Sequence, residues 1–287
     1  METIGQTQMW SFFDDRPECV NTDNTTVRSG SGHKVNSFLE LATKVAELQF
    51  RNREQVLLFR GQKGDHRNNK KHTALKPSLF RPVKSGKNPG SGELTLRFEK
   101  LKAAERELQR LYKGKELFGV ERLKRQRILR WSLLQHYEVC ATPLLDVTHS
   151  LRIAASFASY GALGDAFLFV LGVPNLSGAI TASAEAGLQI VRLSSVCPPA
   201  AVRPHIQEGY LLGEYPEMAD YGQKELYHHY EIDFGRRLVA KFRFQPHQFW
   251  KSDDFPKVTE TALYPPETID PLFKLAGKVK KAIGPFS

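Results

Sequence analysis

The sequence is poor in cysteine. It has three, Cys19, Cys140 and Cys197, far apart and with no CxxC pair. An odd, dispersed set supports neither a disulfide framework nor a cysteine-rich zinc site. Long apolar runs are missing too: AFLFVLGV (166–173) is far too short to span a bilayer. The opening METIGQTQMWSFFDDRPE carries acidic residues and no apolar stretch, so it does not read as a secretory signal. These absences set the expectation of a reduced, cytoplasmic setting with no membrane. HExxH is absent, and the adjacent His228 and His229 converge poorly on one ion, so no metal is expected. GxxxxGK[ST], GxGxxG and GxSxG are absent as well. P-loop phosphoryl transfer, a Rossmann dinucleotide site and a serine elbow therefore have no support.

What is present is ordinary globular composition, with 41% hydrophobic and 25% charged residues in 287. That length holds one large domain or two small ones and supplies core without covalent staples. Lys and Arg number 41 against 31 Asp and Glu, a formal net charge of +10. Such a balance fits a nucleic-acid, nucleotide or acidic-surface partner, or a plain solvated basic face.

Along the chain, residues 1–34 are rich in Thr, Asn, Ser, Gly and Asp and read as a flexible polar N-terminal arm. Ser37 and Glu40 form a capping box, and Phe38, Leu41, Val45 and Leu48 share one helical face, so 37–50 is an amphipathic helix. QVLLFRGQ (55–62) reads as a buried strand ending at Arg60-Gly61. KGDHRNNKKHTALKP (63–77) is a basic loop. Residues 93–137 lack proline and keep helical spacing, broken by glycines between Tyr112 and Gly119. The second helix, about 120–137, is the most basic stretch, with Arg122, Lys124, Arg125, Arg127 and Arg130. Leu144 and Leu145 suit a short strand, and Thr148 or Ser150 suits the cap of a helix carrying Ile153, Ala154 and Phe157. AFLFVLGV, LQIVRL (188–193) and RLVAKFRF (237–244) read as strands, the last alternating with Leu238, Ala240, Phe242 and Phe244 on one face. KLAGKVKKAIG is a short basic helix. The expectation is an α+β fold, a helical N-terminal half packed on a mainly antiparallel sheet, with 35–287 as a single domain carrying a basic C-terminal tail.

Two places suggest chemistry. Arg60 ends an apolar strand and is followed by Gly61. A guanidinium there offers a planar fork to a phosphate or carboxylate, and glycine lets a ligand approach the backbone. The alternative is a structural ion pair with an acid such as Asp146. In LLQHYEVCATPLLDVTHS, Gln135, His136, Tyr137, Asp146, Thr148, His149 and Ser150 interrupt apolar pairs. The alternative there is capping and turn chemistry by Asp146, Thr148 and Ser150. Cys140 near His136 suggests a thiol–imidazole pair only superficially, since free cysteine is most often packed.

These segments resemble a known family. FRGQ (59–62), PSLFR (77–81), LLQHY (133–137), LLDVT (144–148) with AASFA (154–158), and IQEGYLL (206–212) occur in the order of FRG-domain proteins, and YPPETIDPLFK (264–274) resembles their C-terminal end. Glu138 stands where the family usually has glycine, Thr142-Pro143 where it has Thr-Arg, and Val147 where it prefers tryptophan. More loosely, an Arg-Gly strand end, a Thr/Ser strand leading into a small-residue helix, and a late Gln/Glu are similar to the motif order of ADP-ribosyltransferases. That resemblance implies a split-sheet, ADP-ribosyltransferase-like fold, and an NAD-dependent mono-ADP-ribosyltransferase or NAD glycohydrolase. It further implies a toxin or antiviral (anti-phage) defence effector acting on a nucleic-acid or protein acceptor, with NAD as substrate and a neutralising partner of unknown identity.

On that resemblance Arg60, with Gly61 and Gln62, holds the NAD diphosphate or a ribose. Thr148 and Ser150 bond the nicotinamide-side ribose or shape the binding strand, with Gln135 and Asp146 nearby. Phe157 or Tyr137 stacks on the nicotinamide. Gln207 or Glu208 stabilises the ribose: the family match favours Gln207, and acid–base logic favours Glu208. If IQEGYLL is extended, only one of these neighbours faces the site. His136 is the further candidate for activating the acceptor. The competing readings are a non-catalytic nucleotide or nucleic-acid binding module using the 122–130 helix and the 63–72 loop, and an interaction domain with a structural polar core.

Overall fold

The computed structural model describes residues 1–5, 9–82, 87–115, 117, 119–226, 232–252 and 254–284. His228 and His229 lie outside them. In chain order the elements are β1 (Met9–Ser11), β2 (Val20–Thr22), α1 (Asn24–Ser29), β3 (His33–Lys34), α2 (Phe38–Arg51) and β4 (Val56–Gln62). Then come α3 (Ser91–Lys113), α4 (Val120–Arg125), α5 (Arg127–His136), β5 (Leu145–Thr148), α6 (Leu151–Ser159) and β6 (Ala166–Val173). They are followed by β7 (Ile180–Ser183), β8 (Leu188–Arg192), α7 (Leu193–Val196), α8 (Val202–Ile206), β9 (Gly209–Glu214) and α9 (Tyr221–Glu225). Last are β10 (Leu238–Phe244), α10 (Pro246–Phe249), α11 (Glu260–Leu263) and α12 (Pro271–Ile283). The fold is mixed α/β. Helices are not gathered into an N-terminal half, because α7 to α12 all follow residue 190. No helix among the described residues is long and apolar enough to cross a membrane.

The chain divides into two compact units. The first comprises Met1–Leu75, Val147–Leu176 and Asp233–Leu263; the second comprises Lys76–Asp146, Ser177–Ile232 and Tyr264–Ser287.

In the first unit the strand order is β3-β10-β6-β4. β4 runs antiparallel to β6, with Arg60 opposite Phe169, while β3 runs parallel to β10. Thr148 at the end of β5 pairs with Phe59. β10 was expected to alternate, yet Val239 and Lys241 are as buried as Leu238, Ala240 and Phe242. A second packed face explains this. Lys241 Nζ donates to Gly30 O at 2.6 Å, Asp65 Oδ2 at 2.8 Å and Thr73 Oγ1 at 2.8 Å, so the buried ammonium spends all three protons.

Residues 1–34, expected as a flexible arm, contain β1, β2, α1 and β3, and bury Met9, Phe12 and Val27. The composition misleads because this segment buries polar groups as well as apolar ones. Asn24 Nδ2 donates to Gly235 O and Leu238 O, and Arg28 pairs with Asp233 while its Nε donates to Thr73 O at 2.9 Å. Each buried polar group finds a partner, so few apolar residues are needed to fix the segment.

In the second unit β9, β8 and β7 form an antiparallel meander, and α3 packs against α4, α5 and α12. The basic stretch expected as one helix breaks at Gln126, whose backbone is extended (φ −103°, ψ 105°). Arg130 stabilises the break. Its Nη1 takes the freed carbonyls of Leu123 and Lys124 at 2.9 and 3.0 Å, and its Nε donates to Glu105 at 2.9 Å.

Candidate functional site

In the first unit β4 delivers the Phe-Arg-Gly-Gln segment. Gly61 is required by packing. A Cβ there would lie 1.8 Å from Ala154 O and 2.8 Å from Ala158 N, so strand and helix touch backbone to backbone. The small residues Ala154, Ala155 and Ala158 of α6 are fully buried for the same reason. Thus the glycine read from the sequence as an approach for a ligand is the point where α6 meets the strand backbone. Arg60 and Gln62 flank it half-buried, and Gln62 Oε1 is buried without a hydrogen-bond partner among the described residues. Thr148 is buried, and its Oγ1 accepts from Ser150 N at 3.0 Å, a turn that leads into α6. Ser150 is the N-cap residue of α6, but its hydroxyl makes no cap bond. Phe157 is half-buried on α6, and His149 is exposed.

The second unit gathers the denser polar cluster at the end of α5. Gln135 Nε2 donates to Asp146 Oδ2 at 2.6 Å, and its Oε1 accepts from Thr142 Oγ1 at 2.6 Å and Ser78 Oγ at 3.0 Å. His136 Nδ1 lies 3.5 Å from Asp146 Oδ1. The imidazole is buried, and burial holds its pKa below the usual histidine value, with the Asp146 hydrogen bond working the other way. A neutral ring with Nδ1–H toward Asp146 leaves Nε2 as an acceptor, and Nε2 is buried without a hydrogen-bond partner among the described residues. The Asp146 side chain keeps 33% of its surface exposed, and the Arg81 guanidinium interacts with it electrostatically. The cluster therefore presents a carboxylate to solvent and braces it from behind.

Tyr137, expected to stack on nicotinamide, is committed inside its own unit. Its hydroxyl bonds Asp270 at 3.0 and 3.1 Å, and its ring stacks on Phe273. Asp270 also caps α12 through Leu272 N and Phe273 N and accepts from Arg203 N. Cys140 is buried, and burial pushes its thiol up to about 12, which removes it as a nucleophile near neutral pH.

IQEGYLL is not extended throughout. α8 ends at Ile206, Gln207 caps it and is buried, and Glu208 is exposed with φ +44°. Strand β9 begins at Gly209, where a Cβ would lie 3.3 Å from His136 Cε1. This turn therefore abuts the His136 ring, and the opposite-faces argument for Gln207 and Glu208 does not apply. Within the second unit the fold thus brings Gln135, His136, Asp146 and the IQEG turn together. Arg60, Gly61, Gln62, Thr148, Ser150 and Phe157 belong to the first unit.

Sequence reasoning missed Ser78, Thr142, Arg203 and Asp270. Ser78 and Asp270 stood inside the quoted motifs PSLFR and YPPETIDPLFK, whereas Arg203 carries no local signal. Glu138 has φ +54° at the end of α5. Val139 N bonds Leu134 O and Glu138 N bonds Gln135 O, the pattern of a Schellman cap, a position that favours glycine.

The family model of the FRG domain matches residues 55–164. No curated protein and no solved structure matches the chain.

Proposed function

The chain carries an FRG domain, and from that premise we propose that it is an NAD-consuming enzyme that breaks the nicotinamide–ribose bond. The observation that carries this reading is the Asp146 carboxylate, a third exposed and braced by Gln135 and His136. A carboxylate fixed at a solvent-facing edge suits the positive charge that develops on the ribose as the bond breaks. The bonding electrons leave with the nicotinamide nitrogen, which departs neutral. Water, or the hydroxyl of an acceptor, then attacks the oxocarbenium carbon and gives its proton to Asp146. Water makes the reaction a hydrolysis, and an acceptor makes it ADP-ribosyl transfer. His136, neutral and buried, holds the carboxylate in place.

The test is nicotinamide release from NAD by the purified chain, with water alone and with RNA, DNA or protein as acceptor. Asp146→Asn is expected to lower the rate at least about 100-fold with the melting temperature retained, in line with the loss of one charge-stabilising group. No release by the wild type under any acceptor condition would overturn the reading.

A further inference from the structure

The chain's positive charge is concentrated. Residues 76–130 hold 16 Lys and Arg against 6 Asp and Glu, a net +10 equal to that of the whole chain. α3 shows how a solvated helix neutralises such charge. Arg97 pairs with Glu93 at 2.7 Å, Lys102 with Glu99 at 2.9 Å and Arg110 with Glu107 at 2.7 Å, each three or four residues apart.

α12, packed on α3 in the same unit, behaves differently. Its apolar side, Leu272, Leu275, Ala276 and Val279, is buried. Lys274, Lys278, Lys280 and Lys281 are exposed, and the helix contains no acidic residue. None of the four makes an ion pair or hydrogen bond among the described residues. Lys274, Lys278 and Lys281 are spaced i, i+4, i+7 and so share one face. The helix dipole accounts for cations in the last turn, Lys280 and Lys281, but not for Lys274 or Lys278.

We propose that the lysine-bearing face of α12 is a docking surface for the phosphate backbone of a nucleic acid. Regularly spaced, unpaired ammonium groups on a rigid helix suit a regularly spaced polyanion, and no base-reading group is needed for binding of this kind. Two charged residues of the 63–72 loop are committed within the first unit. Arg67 is spent on the carbonyls of Ser29, Gly30 and Lys71, and Asp65 of that loop takes Lys241. The surface stands whether or not the chain consumes NAD.

The test is binding of a fluorescent DNA duplex and a single-stranded RNA to the full chain, without NAD, between 50 and 200 mM salt. Four phosphate contacts predict a log–log slope of about −3.6 for the duplex, hence roughly 100-fold weaker binding at the higher salt. Replacing Lys274, Lys278, Lys280 and Lys281 together by Gln is expected to flatten the slope by about 3.6, while replacing them by Arg preserves it. Should the fourfold Gln variant fail to fold, single Lys278→Gln and Lys281→Gln variants are each expected to flatten the slope by about 1. No binding at 50 mM salt, or slopes equal to wild type in the Gln variants, would overturn the surface. So would displacement of the duplex by polyglutamate at equal charge concentration, which would point to an acidic protein.

Discussion

Gln135 and Asp146 meet amide to carboxylate at 2.6 Å, and the amide is locked from its far end. Thr142 and Ser78 hydroxyls both donate to Gln135 Oε1, so the NH2 group has one orientation, toward Asp146. Gln135→Glu keeps the acceptor for both hydroxyls and sets a second carboxylate against Asp146. The expected outcome is a loss of nicotinamide release at neutral pH that recovers as the pair takes up a proton on acidification. Gln135→Leu removes the lock altogether and is expected to cost about 1–3 kcal/mol of stability by leaving polar groups unpaired. A pH–rate profile for the first and a urea titration for the second check these outcomes.

Gly61 lies against α6 so closely that an alanine methyl has no room beside Ala154 O. Backbone on both sides means that relief requires moving the helix from the strand. Gly61→Ala is expected to destabilise by more than about 3 kcal/mol, at the upper end for an overpacked core site. Gly64, three residues on, has nothing within 4 Å of its hypothetical Cβ. Gly64→Ala is expected to change stability by less than about 0.5 kcal/mol. Equal denaturation midpoints for the two variants would remove close helix–strand contact as the reason for the FRG glycine.

The contrast marks what a sequence shows and what it hides. α2 was legible because Ser37 accepts from Glu40 N and Glu40 reaches back to Asn36 N, a local exchange written in four residues. β4 and β6 were legible as apolar runs bounded by glycine or polar residues. Lys241 was not, since its partners Gly30, Asp65 and Thr73 are 211, 176 and 168 residues away in sequence. β1, β2, β7 and β9 are short or carry no alternation, so their burial comes from neighbours that the sequence does not place beside them. For the candidate site, the cluster around Gln135, His136 and Asp146 was visible as polar residues among leucines. The packing role of Gly61 was hidden, because a glycine written after an arginine fits a ligand and a helix equally well.

Glu138 occupies a left-handed position that costs an L-residue roughly 1–2 kcal/mol. Its carboxylate bonds Arg203 Nη2 at 2.8 Å, but it is 65% exposed, where such pairs contribute about 0–1 kcal/mol. Glu138→Ala keeps the strain and loses the pair, while Glu138→Gly loses both. The glycine variant is therefore expected to be more stable than the alanine variant by about 1 kcal/mol, measured by thermal melting of the two side by side.

Both units bury a histidine that resists protonation. His33 donates from Nδ1 to Asp14 O at 2.7 Å, and burial lowers its pKa; His136 is lowered for the same reason. With folded values below the unfolded 6.5, the unfolded chain binds more protons across the window beneath 6.5. Stability is then full above that pH and falls on acidification, with a slope of up to about 1.4 kcal/mol per pH unit for each histidine. His33→Asn keeps a donor for Asp14 O and removes the titration. Melting temperatures between pH 7.5 and 5.5 are expected to fall less steeply in this variant than in the wild type.

Lys241 and Asp65 form an ion pair with 1% and 7% of their side chains exposed, and burial lowers the lysine pKa while Asp65 opposes that. Removing one partner leaves a charge in the interior, whereas removing both takes the two charges out together. Asp65→Ala is expected to cost about 3–5 kcal/mol, the range for an abandoned buried charge. Lys241→Met together with Asp65→Leu is expected to recover most of that loss, although Thr73 Oγ1 and Gly30 O lose a donor. Because Gly30 follows α1 and Asp65 lies in the loop after β4, the single variant is also expected to free the N-terminal segment. Limited proteolysis reads this directly, with early cleavage before residue 35 in Asp65→Ala and none in the double variant. Equal protection of both variants would show that Asn24 and Arg28 fix the segment without the buried lysine.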